Sequence, residues 1–197
     1  MGDPKKSRKK YQTPSHPWIK ARIDEEAEIV KEYGFKTKQE IWKVDSKLRN
    51  FARIAKKLIP RKDKQAVIET KQLLDKLTAM GLLEADSQLD KVLNINLKVL
   101  LDRRLQSMVC KKGFAKTMKQ ARQFITHRHV AVNGKVITSP SYLVSKKEEA
   151  VVQFLHTSAL ANPEHPERAL ALKPAEAKEL KAIKEHPKKV EEKVTKE

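Results

Sequence analysis

The sequence predicts an α+β protein: a helical N-terminal domain, a small module of two helices packed on a short antiparallel sheet, and a helical or disordered C-terminal tail. Three observations predict it. Apolar residues recur every three or four positions between residues 19 and 83. The period falls to two at Val130, Ala131 and Val132, directly before Asn133-Gly134, a dipeptide favoured in two-residue hairpin turns because both positions take positive φ. Beyond Arg168, large apolar residues become scarce among Ala, Lys and Glu, a composition with little to bury. The expected divisions are a basic extended arm (1–18), the helical domain (19–97), the module (98–160) and the tail (161–197).

The arm opens with Lys5, Lys6, Arg8, Lys9 and Lys10 against Asp3 alone. Free in solution such a segment is disordered; on a polyanion it orders as its charges displace counterions from phosphates. Pro14 and Pro17 then force an extended path, along which Tyr11, His16 and Trp18 offer flat faces. Two readings are open for them: stacking on bases or sugars, or Trp18 packing on Ile19 or Ile23 to pin the arm.

Residues 19–33 read as a helix of mixed charge closed by Gly34. Thr37 and Glu40 have the spacing of a capping box, and Ile41, Val44, Leu48, Phe51, Ala55 and Leu58 give the next helix one apolar face up to Pro60. Lys43, Lys47, Arg49, Arg53, Lys56 and Lys57 occupy its other surface. Residues 1–60 hold sixteen basic and eight acidic side chains, so this helix is expected to contact phosphates. Residues 61–97 hold six of each sign. There Leu73, Leu77, Met80, Leu82 and Leu83 suggest an inward-packed helix broken at Gly81, a structural connector.

Residues 98–147 hold twelve Lys and Arg and one acid, Asp102. Apolar periodicity persists, so this is a folded basic module. Leu97, Leu101, Leu105 and Met108 predict one helix ending near Gly113. Thr117 and Gln120 form a second capping-box pattern before a helix that buries Ala121, Phe124 and Ile125. Val136 and Ile137 begin the return strand of the hairpin, where Gly134→Val is expected to cost stability. Leu143-Val144 and Val151-Val152-Gln153-Phe154 read as further strands around a turn at 146–149. Arg103, Arg104, Lys111, Lys112, Lys116, Lys119, Arg122, Arg128 and Lys135 are the candidate phosphate contacts. Thr117, Gln120, Gln123, Asn133 and Ser141 are the candidates for sugar hydroxyls and base edges, with a fully occupied cap the other reading of Thr117 and Gln120; His127, His129 and Tyr142 complete the RNA-binding candidates.

Forty-three basic residues against twenty-five acidic give a net charge of +18. A chain so charged repels itself until phosphates or acidic surfaces neutralise it, which makes nucleic acid the leading partner. One cysteine, Cys110, excludes an internal disulfide and a multi-cysteine zinc site. No apolar run approaches the ~20 residues of a membrane span, and the expected location is cytoplasmic. His127 and His129, two apart at a helix-to-strand junction, suit sugar or backbone contacts better than a metal. No phosphate-cradling glycine loop, nucleophile elbow or paired-carboxylate spacing occurs. Neither catalysis nor a cofactor is expected.

A helix, a Gly-punctuated turn, a basic helix and a hairpin in about fifty residues resemble the S-four RNA-binding domain. The residues carrying the resemblance are Arg103-Arg104-Leu105, Gly113-Phe114-Ala115, Ala121-Arg122-Gln123, His127-Arg128-His129-Val130, Val132-Asn133-Gly134 and Pro140-Ser141-Tyr142. Two departures stand out. Many members have Gly where this chain has Arg128, and a Gly-Asp pair is replaced by Lys146-Lys147-Glu148-Glu149. The opening Tyr11-Gln12-Thr13-Pro14-Ser15-His16-Pro17-Trp18 resembles that of the archaeal and eukaryotic branch of the S-four family of small-subunit ribosomal proteins, and the likeness extends over roughly residues 1–160.

That resemblance implies a structural constituent of the small ribosomal subunit which binds the 5′ domain of 16S rRNA early in assembly, at a junction of several helices. It further implies ribosomal proteins S-five and S-three as neighbours and an influence on decoding accuracy. S-four domains are also appended to pseudouridine synthases and tyrosyl-tRNA synthetases, but the remaining residues are too few for either catalytic domain. A free-standing stress or recycling factor is the alternative. Arg122→Ala is expected to weaken RNA binding without unfolding the domain.

Overall fold

Helix α1 (Lys20–Tyr33) stops where Gly34 takes φ +60° and ψ +38° and returns its N–H to Val30 O, a left-handed cap that favours glycine. The computed structural model describes residues 9, 11–84, 87–162 and 165–169. Helix α2 (Gln39–Leu58) buries Ile41, Val44, Ala55 and Leu58, as its periodicity predicts. The capping box does not form: α2 has no side-chain cap, and Thr37 gives only its carbonyl, to the Glu40 N–H. The Glu40 carboxylate is engaged elsewhere.

Helix α3 (Lys64–Ala79) packs Ala66, Leu73 and Leu77 inward, and the chain turns away at Gly81 with φ +68°. Short helices α4 (Leu89–Leu93) and α5 (Leu97–Asp102) add Val92, Leu100 and Leu101 to the same core, which also holds Tyr33, Phe35 and the α2 face.

The single helix predicted through Leu97, Leu101, Leu105 and Met108 is two. Arg104 is extended (φ −71°, ψ 144°) and heads a new helix, α6 (Leu105–Lys111). The break is held from a distant segment. Arg104 pairs with Leu143 in an isolated antiparallel bridge, Leu105 N–H donates to Tyr142 O at 2.8 Å, and Val144 N–H donates to Arg103 O at 2.9 Å. Leu101 and Leu105 are both fully buried, but in different cores, so their spacing mimics one helical face.

Helix α7 (Met118–Thr126) has the predicted inner face of Ala121, Phe124 and Ile125. Thr117 caps it, accepting from Gln120 N–H at 3.2 Å. Gln120 does not complete the box; its Oε1 takes the Lys116 N–H at 2.8 Å. Strands β1 (Val130–Val132), β2 (Lys135–Val136) and β3 (Val152–Phe154) form an antiparallel sheet in the order β2-β1-β3. Val132 pairs with Lys135 across Asn133 (φ +51°) and Gly134 (φ +74°), the predicted two-residue turn. A β-carbon on Gly134 would meet nothing within 4 Å, so Gly134→Val should cost only backbone strain. A melting experiment should show a loss of about 1–2 kcal/mol.

Leu143-Val144 is not part of this sheet, being taken up by the bridge at Arg104. The expected turn at 146–149 is a one-turn helix, α8 (Lys146–Glu149), whose Ser145–Glu148 capping box is complete. β3 pairs with β1 instead, Val130 opposite Phe154 and Val132 opposite Val152. The second core gathers Leu105, Met108, Val109, Phe124, Ile125, Val130, Val144, Val152 and Leu160, with half-buried Cys110 against it. A last helix, α9 (Pro166–Ala169), follows. The rest of the expected tail lies outside the described residues.

Candidate nucleic-acid interface

The polar contacts between the two cores converge on Glu40. Arg104 reaches back from the α5–α6 break and donates Nη2 to Glu40 Oε2 at 2.6 Å, while Arg122 on α7 donates Nη1 to Oε1 at 2.9 Å. The Arg104 residue is only 1% exposed, and its guanidinium lies 4.7 Å over the Phe35 ring. Burial lowers its pKa, and the adjacent Glu40 carboxylate offsets only part of that shift. Beside it, buried Gln106 donates Nε2 to Tyr33 O at 3.1 Å and to Met118 O at 2.8 Å. Tyr33 donates its hydroxyl to Asp102 at 3.0 Å; burial first, and then that carboxylate, push its pKa well up.

These contacts correct two expectations. Arg104 has no surface to offer a phosphate and is a buried structural cation. Arg122 faces Glu40, so Arg122→Ala is now expected to cost stability as well as charge. Other candidate donors are also held within the protein. Arg103 donates to Glu149 Oε2 at 2.8 Å and to Val144 O, Lys112 donates to Glu149 O, and Lys111 pairs with Asp102 at 2.7 Å. Tyr142 donates to Glu148, and Gln120 donates its Nε2 to Glu167 at 2.8 Å.

What remains outward falls on two faces. On the module, Lys116, Lys119, Gln123, His127 and Arg128 are exposed; Lys119 and Gln123 are four apart, one turn along α7. Asn133 and Lys135 stand at the hairpin and Ser141 beyond it, all exposed. Arg128 has φ +66°, an uncommon conformation for a side chain with a β-carbon. Its neighbours His127 and His129 stack at 6.4 Å, and His129 Nδ1 is hydrogen-bonded to Ser158 Oγ at 2.8 Å. No group of three metal-ligating side chains occurs among the described residues.

The second face is α2, with Lys43, Lys47, Arg49, Arg53, Lys56 and Lys57 exposed. Desolvation, and then the nearby cations Arg104 and Lys76, lower the Lys47 pKa. The arm joins this face. Gln12 N–H donates to Ser46 Oγ at 3.0 Å, and the Tyr11 ring stacks on Trp42 at 6.5 Å. Arg22 donates to the carbonyls of His16 and Pro17, each at 2.9 Å. Trp18 is 89% exposed, so the reading in which it pins the arm is wrong; Tyr11, Gln12 and Arg22 do so. Lys5, Lys6, Arg8 and Lys10 lie outside the described residues.

Residues 103–150 match the model of the S4 domain family. Over 173 residues the chain is 50% identical to the small ribosomal subunit protein uS4 of Methanococcus maripaludis, covering 87% of this chain and 97% of that protein. The chain belongs to the uS4 family. Another uS4 protein, from Methanococcus aeolicus, is 49% identical over 177 residues, 89% of this chain and the whole of the relative. The uS4 likeness thus reaches well beyond the S4 domain and takes in α2, the helix that carries Glu40. No helix among the described residues is long and apolar enough to cross a membrane.

Glu40, Gln106 and Tyr33 carry the polar contacts behind the two basic faces, a role the sequence reading did not give them. For Glu40 the available signal was a lone acid in a basic stretch, from Lys36 to Lys43; Gln106 and Tyr33 gave none.

Proposed function

We propose that the chain is a non-enzymatic, structural constituent of the small ribosomal subunit, cytoplasmic, that binds the 5′ domain of 16S rRNA. In that role it nucleates assembly of the subunit body beside ribosomal proteins S-five and S-three and contributes to translational accuracy. The observation that carries the reading is the pair of separate basic faces, on α2 and along α7, joined through Glu40 at a fixed spacing. Two faces held so can grip two RNA elements at once. The second contact then forms at high effective concentration, favouring a folded junction over any single helix.

Membership of the uS4 family supports the same reading. Lys43, Arg53, Lys56, Lys57, Lys116, Lys119, Arg128 and Lys135 are the phosphate contacts in this proposal. Gln123, Asn133 and Ser141 reach sugars or base edges, and Trp18 stacks.

Titration onto the isolated 5′ domain and onto an unrelated RNA duplex, at several salt concentrations, tests it. Phosphate neutralisation makes log affinity fall with log salt, by about 0.7 to 0.9 per phosphate. A preference for the 5′ domain that survives raised salt is the expected result. Equal binding to both RNAs, lost together as salt rises, would instead favour a generic basic RNA-binding factor.

A further inference from the structure

Where the arm crosses α2 it roofs a cleft of about 440 Å³. Lys9, Arg49 and Arg53 line it with cations, and Gln12, Asn50 and Ser46 add two amides and a hydroxyl; none of the lining residues is acidic. Outside the lining, Asp45 pairs with Arg49 at 2.7 Å from one turn back along the helix. Lys9 and Lys43 both approach the Tyr11 ring, at 4.8 and 5.7 Å from its centroid. Like charges so gathered repel, and an anion entering the cleft relieves them. Its volume falls in the range of about 300–1,000 Å³ that holds small ligands, room for a nucleotide and far too little for a duplex.

The lining is also chemically mixed. Guanidinium groups fit phosphate oxygens, whereas the Asn50 and Gln12 amides can both donate and accept, as a ribose hydroxyl or base edge requires. The amide N–H groups can also meet phosphate, but the amide oxygens are acceptors, which suit a hydroxyl or a base N–H and not a phosphate. We propose that it takes unpaired RNA, one nucleotide of a single strand, with its phosphate between Lys9, Arg49 and Arg53 and its ribose or base against Asn50 and Gln12. The inference rests on the RNA-binding reading above. It adds that the N-terminal face recognises a single strand, while α7 and the hairpin meet other RNA.

The test uses the full chain, a uridine octamer carrying 4-thiouridine, and an A-form duplex of equal length. Asn50→Ala is the main variant: Asn50 is exposed, and its loss leaves net charge unchanged. Lys91→Gln, on an exposed residue of the neutral connector, controls for the loss of one charge.

The expected result is photo-cross-linking of the octamer to the arm and α2. Asn50→Ala should bind the octamer about tenfold more weakly, with its salt slope and duplex affinity unchanged. Arg53→Gln should weaken octamer binding more than Lys91→Gln does. If the wild-type chain binds the 5′ domain selectively while Asn50→Ala binds the octamer like wild type, or cross-links scatter over the chain, the cleft is not a strand site. If the wild-type chain shows no preference for the 5′ domain, the ribosomal-RNA reading falls first, and this inference with it.

Discussion

Glu40→Ala is expected to lower the unfolding free energy by about 3–5 kcal/mol, the loss typical when one partner of a buried ion pair is removed. The cost arises on the arginine side. Arg104 is 1% exposed and donates to Glu40, so alanine leaves a guanidinium buried without its anion. Urea unfolding checks it: the midpoint should fall with little change in slope. Arg122→Ala should cost less, because Arg104 still neutralises Glu40 and the Arg122 side chain keeps 27% of its surface in water. A loss of under about 1 kcal/mol for Glu40→Ala would mean that the ion pairs do not hold the two cores together.

The second large effect is expected at Gly34, where two costs add. Valine there must adopt φ +60°, a strain of about 1–2 kcal/mol. Its β-carbon would also lie 2.9 Å from Met118 Cβ and 3.4 Å from the Lys119 backbone nitrogen, an overpacking that typically costs about 1–3 kcal/mol. Gly34→Val should therefore be clearly more damaging than Gly134→Val, which carries the first cost only. Parallel thermal melts of the two variants decide it; equal losses would show that the α1–α2 turn is not pressed against the start of α7.

Much of this molecule was legible because local signals and tertiary structure agree. The apolar face of α2, the inner face of α7, the cap at Thr117 and the Asn133-Gly134 turn each require only neighbours within a few residues. The failures have one physical origin. Arg104 ends a helix because Leu143, thirty-nine residues later, pairs with it, and no period in the sequence reports such a partner. Glu40 satisfies a cap pattern, yet its carboxylate is drawn to two arginines sixty-four and eighty-two positions away.

The candidate site was legible as composition and less so as geometry. Basic runs mark the elements on which exposed cations stand, but spacing cannot say which cations turn inward. Arg103 and Arg104 therefore looked like Lys116 and Lys119, although Arg103 is tied to Glu149 and Arg104 to Glu40.

The double use of Arg104 also bears on how the chain is made. Its main chain closes the module against Leu143, and its side chain closes the first core against Glu40. Synthesis delivers Glu40 first, Arg104 later and Leu143 last. A ribosome-bound fragment ending short of residue 143 can therefore neither fix the start of α6 nor fully immobilise the arginine that Glu40 awaits. The two halves are left to mature together, and the spacing between the basic faces becomes a property of the finished chain. Truncated products, however basic, lack the ruler that sets it.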